Sequence, residues 1–155
     1  MRTILILHNI RSVHNVGAIF RTADAAGIDK IFLTGYTPTP VDRFGRARID
    51  LQKTALGAEK SVLWKYEKKL PTLLKKLKSE DYKIVAIEQS KKSIDYKKIK
   101  GKGKIAILVG NEVTGLSPRI LKQCNIVTEI KMLGKKESLN VSVATGIALF
   151  RILNL

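Results

Sequence analysis

The stretch KIAILVGNEVTGLSP, residues 104–118, is the most informative part of this 155-residue sequence. It begins with a nearly continuous apolar run at 104–109, which is typical of a strand buried on both faces in a parallel sheet. A polar loop with a glycine at each end follows at 110–115. Ser117 and Pro118 then supply an N-cap and a first-turn proline for a short helix. Strand, loop and helix in this order predict one unit of an α/β fold.

The same alternation extends outward in both directions. Residues 35–50 contain Pro38, Pro40 and Gly45 and are predicted as a long loop with room for one helical turn. The expected fold is α/β, with a mostly parallel sheet and helices on both faces, filling residues 1–155 as one domain. Short apolar runs predict strands at 3–7, 30–34, 61–66, 82–88, 104–109 and 126–130. Helical spacing predicts helices at 16–26, 70–78, 118 to about 124, and 140–153.

The composition points to an anionic partner. Lysine and arginine together number 29 and the acidic residues 13, which gives a formal net charge of +16. Residues 60–104 alone hold fifteen lysines and five acidic residues. This excess is typical of proteins that bind nucleic acid or, as a second choice, an acidic membrane surface. A hydrophobic fraction of 45% excludes a disordered polycation.

Other features bear on the compartment. No apolar run approaches the ~20 residues of a membrane-spanning helix, and the N-terminal strand lacks the features of a signal peptide. Cys124 is the single cysteine, so neither an internal disulfide nor a cysteine-based metal cluster is expected, and no metal is predicted. A cytoplasmic protein in a reducing environment fits these features best.

The glycines do not match the common nucleotide-binding motifs. The segment 8–15 after the first predicted strand has no glycine, and Gly115 is followed by Leu116 rather than by Lys-Ser or Lys-Thr. Neither a P-loop nor a dinucleotide fingerprint is therefore supported. A strand that ends in glycine still lets a ligand approach its backbone closely. Glu112 lies where ligands of α/β sheets bind, and the alternative is an ordinary surface glutamate.

Three segments, taken together in order and spacing, resemble one family. They are NIRSVHNVGAIFRTADAAG at 9–27, ILVGNEVTGLS at 107–117, and IKMLG at 130–134 with SLNVSVA at 138–144. They resemble the three motifs of the SpoU/TrmH family of RNA ribose 2′-O-methyltransferases, and KTALGAE at 53–59 is similar to a fourth family segment. The resemblance covers essentially the whole chain. It implies a deep trefoil knot in the C-terminal part and a homodimer, and it leaves no separate RNA-binding domain within residues 1–155.

The resemblance also implies a reaction and the residues that serve it. Methyl transfer from S-adenosylmethionine (AdoMet) to a ribose 2′-OH needs a positioned hydroxyl and a place for its proton. The resemblance makes Arg21 the central catalytic residue. We expect its guanidinium to hold an adjacent phosphate and to stabilise developing alkoxide charge, because arginine is a poor base. Glu112 is expected to position Arg21 or the substrate sugar.

Two asparagines complete the expected catalytic set. Asn15 is expected to orient the substrate or Arg21, and Asn140 to hold the third motif and contact the active site. Each has an alternative role as the N-cap of a helix, and the two roles are compatible. The alternative for Arg21 is a plain helix-surface arginine.

In the family, AdoMet is held mainly by backbone groups of the knot. By this resemblance, six residues of this chain are expected to contact AdoMet: Ile87, Gly110, Ile130, Met132, Ser138 and Leu139. The alternative for Ile87 and Ile130 is core packing. Many members have proline near Lys131 or Met132, and this chain does not.

The sequence is less informative about the residues that contact the RNA substrate. Arg43, Arg46 and Arg48 surround Phe44 in the predicted loop, and with Arg11 they are the predicted RNA contacts; the alternative is an ordinary exposed loop. The lysines are interpreted as a solvated surface that attracts RNA. Structured RNA is the expected substrate, with tRNA favoured over rRNA. Two alternatives stay open: a non-catalytic RNA-binding or ribosome-assembly protein that keeps the fold, and a base methyltransferase of a related knotted family.

Overall fold

All seven strands belong to one parallel sheet. The computed structural model describes residues 1–155. Every strand pair is parallel, in the order β3-β2-β1-β6-β4-β7-β5. The strands are β1 (Arg2–His8), β2 (Lys30–Thr34), β3 (Trp64–Glu67), β4 (Lys83–Ile87), β5 (Ile94–Asp95), β6 (Lys104–Val109) and β7 (Ile126–Glu129). The predicted α/β fold with a mostly parallel sheet is therefore confirmed.

Six helices cover both faces of this sheet, as predicted. They are α1 (Val13–Ala25), α2 (Ile49–Ala55), α3 (Ala58–Ser61), α4 (Leu70–Ser79), α5 (Pro118–Leu121) and α6 (Val141–Leu153). A core of 24 buried residues lies on the side of α1, α2, α3 and α6, and a core of 12 lies on the side of α4. No helix is long and apolar enough to cross a membrane.

The position of the central strand β6 explains why residues 105–109 are all apolar. Ile105 and Ile107 point into the larger core, while Ala106 and Leu108 point into the smaller one. Because side chains alternate between the two faces, a strand covered on both sides must be apolar at every position. β6 lies between β1 and β4, and its carboxyl end therefore opens at the middle of the sheet edge.

Helix α2 is the main element that the sequence does not predict, since the predicted loop at 35–50 covers only its first two residues and no element is predicted at 51–55. Leu51 and Ala55 are its buried residues, four positions apart. They are buried because α1 approaches closely at Gly17, where a Cβ would lie only 2.5 Å from the Leu51 carbonyl oxygen. The Thr54 hydroxyl also donates a hydrogen bond of 3.0 Å to the His14 carbonyl on α1. Packing against α1 therefore stabilises α2, and the local sequence alone does not indicate the helix.

Smaller differences concern element ends. Strand β3 begins at Trp64, three residues after the predicted start, and the two-residue edge strand β5 was not predicted. The first helix begins at Val13, because the Ser12 hydroxyl accepts a hydrogen bond from the Asn15 amide and caps it. The alternative role of Asn15 as N-cap is therefore wrong, and Asn15 lies inside the first turn.

Candidate active site

The carboxyl ends of β4, β6 and β7 surround a cavity of about 310 Å³. The segment 130–139 and the first turns of α6 close it on the other side. This is the edge at which parallel sheets bind ligands, and the volume is at the lower end of small-molecule sites. The cavity brings together all six residues predicted to contact a cofactor, although they are scattered over the second half of the chain: Ile87, Gly110, Ile130, Met132, Ser138 and Leu139.

The loop that follows β6 is held in place by Asn111, which the sequence prediction did not single out. The side-chain oxygen Oδ1 of Asn111 accepts hydrogen bonds of 2.8 Å from the backbone amides of Val113 and Thr114. Its amide donates to the Asn9 carbonyl at 2.9 Å and to the Tyr36 hydroxyl at 2.8 Å. An asparagine directly after a glycine at the end of a strand favours a turn, and this is the signal that the sequence offers for Asn111.

Gly110 and Gly115 allow this loop to fold tightly against the cavity. A Cβ on Gly110 would lie 2.7 Å from the Leu116 side chain, and Gly115 adopts a positive φ of 63°. The Glu88 carboxylate accepts a hydrogen bond of 2.8 Å from the Leu116 amide and so joins the loop to the end of β4. The backbone of Gly110 thus reaches the cavity without an intervening side chain.

A chain of polar contacts links the three motifs beside the cavity. Glu112 accepts hydrogen bonds of 3.1 Å from the backbone amides of Arg11 and Ser12, and one of 3.4 Å from the Asn15 side-chain amide. The Asn15 carbonyl oxygen in turn accepts from the Asn140 side-chain amide at 3.1 Å. We refer to Glu112, Asn15 and Asn140 as the polar triad.

Asn140 caps α6 and also contacts Asn15. Its carbonyl oxygen accepts a hydrogen bond of 2.8 Å from the Ser142 amide, which makes it the N-cap of α6. Its amide group simultaneously reaches Asn15 on α1. The start of α6 and the start of α1 are therefore fixed relative to each other by one side chain.

The pKa of Glu112 lies below its ordinary value. Partial burial raises this pKa, but the hydrogen bonds from the Arg11 and Ser12 amides and from Asn15 outweigh it. The carboxylate is therefore ionised at neutral pH and acts as an acceptor only. It cannot donate a hydrogen bond to a ligand.

Arg21 lies apart from the polar triad. Its side chain is exposed, and neither of the two ion pairs in the chain includes it. Asn15 and Arg21 are six positions apart on α1, which places them about 120° apart around the helix axis. Within one chain, Glu112 thus positions the start of α1 and does not contact Arg21.

The predicted RNA contacts lie in different surroundings. Arg43 and Arg46 are exposed, and both of their guanidinium groups lie over the Phe44 ring. Arg48 is half-buried, and its Nε has no hydrogen-bond partner. Arg11 is exposed next to the polar triad. The structure therefore places three of the four on the surface.

The cavity has a charge opposite to that of the whole protein. Four of the thirteen acidic residues line it, and no lysine, arginine or histidine does: Glu88, Glu112, Glu129 and Glu137. No group of three or more histidine, cysteine, aspartate or glutamate side chains is arranged to hold a metal ion. In a chain of net charge +16, this lining selects for a cationic or polar small molecule over an anionic one.

Comparison with known proteins shows the family of this chain. The model of the SpoU rRNA Methylase family matches residues 2–150, and the chain belongs to this family. It is 34% identical over 147 residues to the 23S rRNA (guanosine-2′-O-)-methyltransferase of Escherichia coli strain K12, covering 95% of this chain and 58% of that protein. The chain thus spans somewhat more than half the length of that relative.

Two solved structures extend the comparison. The AdoMet-bound rRNA methyltransferase from Sinorhizobium meliloti has a TM-score of 0.88 and 28% identity, covering 97% of this chain and 55% of that one. The TrmH/SpoU tRNA modifying enzyme of A. aeolicus has a TM-score of 0.84 and 31% identity, covering 97% of this chain and 73% of that one. Similar chains therefore include proteins described as acting on rRNA and on tRNA.

Proposed function

We propose that this protein transfers a methyl group from AdoMet to a ribose 2′-OH of structured RNA. One observation carries the proposal: six residues from four separate segments, chosen from the sequence as cofactor contacts, line one cavity beside the polar triad. An AdoMet-bound structure of similar fold supports the choice of cofactor.

The residues of the cavity fit AdoMet in charge and in shape. AdoMet has a sulfonium and an ammonium group against one carboxylate, so it is a net cation, and four glutamates line the cavity without any basic side chain. Glu129 and Glu137 form no ion pair within the chain and are free to attract the ammonium group. Ile87, Leu139 and Met132 offer apolar surface for an adenine ring.

Each part of the site has a proposed task in the reaction. Bound AdoMet supplies a methyl group that its sulfonium already makes reactive. Asn15 and Asn140 hold the start of α1 against the start of α6 and orient the ribose through their amides, which positions the hydroxyl. Glu112 keeps this arrangement rigid through the start of α1. The Arg21 guanidinium holds a neighbouring phosphate and stabilises the developing alkoxide, while phosphate or water takes the proton.

We further propose a homodimer formed through α6 and the adjoining face of α1. Val143, Ile147 and Phe150 lie along one stripe of α6 and are 49%, 38% and 40% exposed. Gly146 on the same helix packs against Thr22, the neighbour of Arg21 on α1. A second copy would cover this apolar stripe and enclose Arg21 in the interface.

The trefoil knot of the family is also a proposal for this chain. It is supported by the sheet order, in which β6 inserts between β1 and β4 after the chain has already formed the edge strand β5. The segment 130–139 then returns from β7 across the cavity to α6. A knot requires this segment to pass through a loop of the chain, and the cavity shared with residues 110–115 is the place where we propose that it does so.

A measurement of AdoMet binding distinguishes the proposed enzyme from a non-catalytic RNA-binding protein with the same fold. Isothermal titration of the protein with AdoMet should show saturable binding, and Leu139→Arg should abolish it by placing a cation among the glutamates. Binding that is absent from the unaltered protein would favour the non-catalytic alternative. Incubating separated tRNA and rRNA fractions with labelled AdoMet then tests the preference for tRNA, and label confined to rRNA would contradict that preference.

A further inference from the structure

The loop at 41–47 contains an exposed aromatic ring held against two arginines. Phe44 is 66% exposed, and its ring centroid is 4.8 Å from the Arg43 Cζ and 5.0 Å from the Arg46 Cζ. Both distances are within the range of a cation–π contact. The loop therefore presents a ring and two guanidinium planes together on the surface. We refer to Arg43, Phe44 and Arg46 as the arginine–phenylalanine cluster.

Asp42 makes the tip of this loop rigid. Its carboxylate accepts hydrogen bonds of 2.8 Å from the Phe44 amide, 3.0 Å from the Arg46 amide and 2.9 Å from the Arg46 Nε. Val41 and Ala47 close the loop through an antiparallel bridge. These contacts place the ring before any ligand arrives, so little ordering cost remains for binding.

Asp42 leaves much of the cluster free to bind. It uses only Nε of Arg46, so the two terminal nitrogens of that guanidinium, and all of Arg43, remain available as donors. Parallel N–H groups of this kind match the oxygens of a phosphate. The cluster thus offers two kinds of contact at once, a flat π surface and paired phosphate donors.

The base of the loop is anchored to the cavity. The Thr37 hydroxyl, which is buried, donates to the Leu7 carbonyl at 3.0 Å and accepts from the Ile10 amide at 3.1 Å. The Tyr36 hydroxyl accepts a hydrogen bond from Asn111, a residue of the cavity lining. Since all carboxyl ends of the parallel strands share one edge, the loop after β2 and the cavity face the same side.

We propose that the arginine–phenylalanine cluster binds one unpaired nucleotide of the RNA, with its base stacked on the cluster and its phosphate on the free guanidinium groups. This inference rests on the proposed function, because it names how that substrate is held. A nucleotide presents a flat aromatic base and a phosphate at adjacent positions, and so matches both kinds of contact. A protein partner would need more apolar surface at the loop tip, where the exposed neighbours of Phe44 are Arg43, Gly45, Arg46 and Ala47.

The lysines at 60–104 are a poorer candidate for this contact. Their ammonium groups are hydrated point charges, which attract any polyanion without reading an unpaired base. The cluster and the lysines therefore differ in what they recognise: the lysines should bind paired and unpaired RNA alike, whereas the cluster should favour an unpaired base.

Fluorescence anisotropy with a short labelled single-stranded RNA, and with the same strand annealed into a duplex, tests this inference. Phe44→Ala should weaken single-strand binding about five- to a hundredfold, because base–aromatic stacking contributes about 1–3 kcal/mol. The loss on the duplex should stay below about twofold. Phe44→Leu, which keeps apolar bulk but no ring, should behave as Phe44→Ala, and Phe44→Trp should retain binding.

The salt dependence of RNA affinity distinguishes the contribution of the Phe44 ring from that of the arginine charges. Phe44→Ala should lower the affinity by the same factor at every salt concentration, whereas Arg43→Gln should reduce the salt slope by about 0.7. Arg119→Gln is the matched control, since it removes an equal charge from an exposed position on α5 and should leave single-strand selectivity unchanged.

Single-strand affinity that is unchanged in Phe44→Ala, or a loss of equal size on the duplex, would overturn the inference. Because Phe44 is exposed, thermal melting of each variant should match the unaltered protein and so exclude misfolding. AdoMet affinity measured on the same samples keeps this test separate from the proposed function. Unchanged AdoMet binding with unchanged RNA binding refutes the cluster alone, whereas absent AdoMet binding in the unaltered protein refutes the proposed function.

Discussion

Glu112 is proposed to support the site rather than to react, and Glu112→Gln tests this view. A glutamine keeps the shape of the side chain but has one acceptor oxygen, so it cannot accept from the Arg11 and Ser12 amides with both atoms. A hydrogen bond to a charged group contributes about 1.5–3 kcal/mol, and water can replace part of it here because the carboxylate is partly exposed. We expect a loss of about 1–2 kcal/mol in the free energy of unfolding.

The measurement is urea unfolding at neutral pH, with thermal melting as a second readout. For a chain of this size, 1 kcal/mol corresponds to a Tm change of about 2–4 °C, so the variant should melt about 2–8 °C lower. Glu137→Gln is the matched control, because Glu137 lines the same cavity, is exposed, and forms no ion pair. Its stability should change by less than about 0.5 kcal/mol.

The stability difference between Glu112→Gln and the unaltered protein should also depend on pH. The pKa of Glu112 is lowered in the folded state, so its stabilisation is complete above the pKa of the unfolded chain and is lost as pH falls through the folded value. The difference between Glu112→Gln and the unaltered protein should therefore shrink as the solution becomes acidic. Equal stability of Glu112→Gln and Glu137→Gln at neutral pH would show that Glu112 does not hold the start of α1.

Three further predictions concern activity, charge and assembly. Arg21→Ala should abolish turnover while AdoMet affinity, measured by titration calorimetry, changes little, and turnover that persists would remove Arg21 from the mechanism. RNA affinity of the unaltered protein should fall steeply and linearly in a plot of log affinity against log salt, and a flat profile would exclude phosphate neutralisation by the lysines. Ile147→Glu should shift the protein from dimer to monomer in analytical ultracentrifugation. Lys122→Glu should not, because Lys122 caps the end of α5 on the opposite face of the sheet. An unchanged dimer in Ile147→Glu would place the interface elsewhere.

The sheet could be predicted from the sequence because its strands are apolar runs with clear ends. The predicted strands at 30–34 and 104–109 coincide with β2 and β6 to the residue. The helix α2 could not be predicted, because its apolar signal is only Leu51 and Ala55, and α1 must pack against them before they are buried. Strand β5 is two residues long and pairs only with β7, which no local pattern indicates.

The sequence likewise indicates some parts of the candidate site and not others. The cavity residues were chosen by resemblance to a family, and the structure places all six on one cavity. The polar triad was not predictable as a network, because Asn15 lies 97 residues from Glu112 and 125 from Asn140, and only the fold brings them together. Of the two roles expected for Glu112, positioning of Arg21 is not seen within the chain, because the helical geometry turns Arg21 away from Asn15; positioning of the substrate sugar stays a prediction.

The most direct test of the central claim is to identify the atom that receives the methyl group. The protein is incubated with total RNA and AdoMet labelled in its methyl group, and the RNA is digested to nucleosides for mass spectrometry. We expect label on 2′-O-methylated nucleosides, and none with Arg21→Ala. Label confined to the bases would show that the protein does not methylate the ribose.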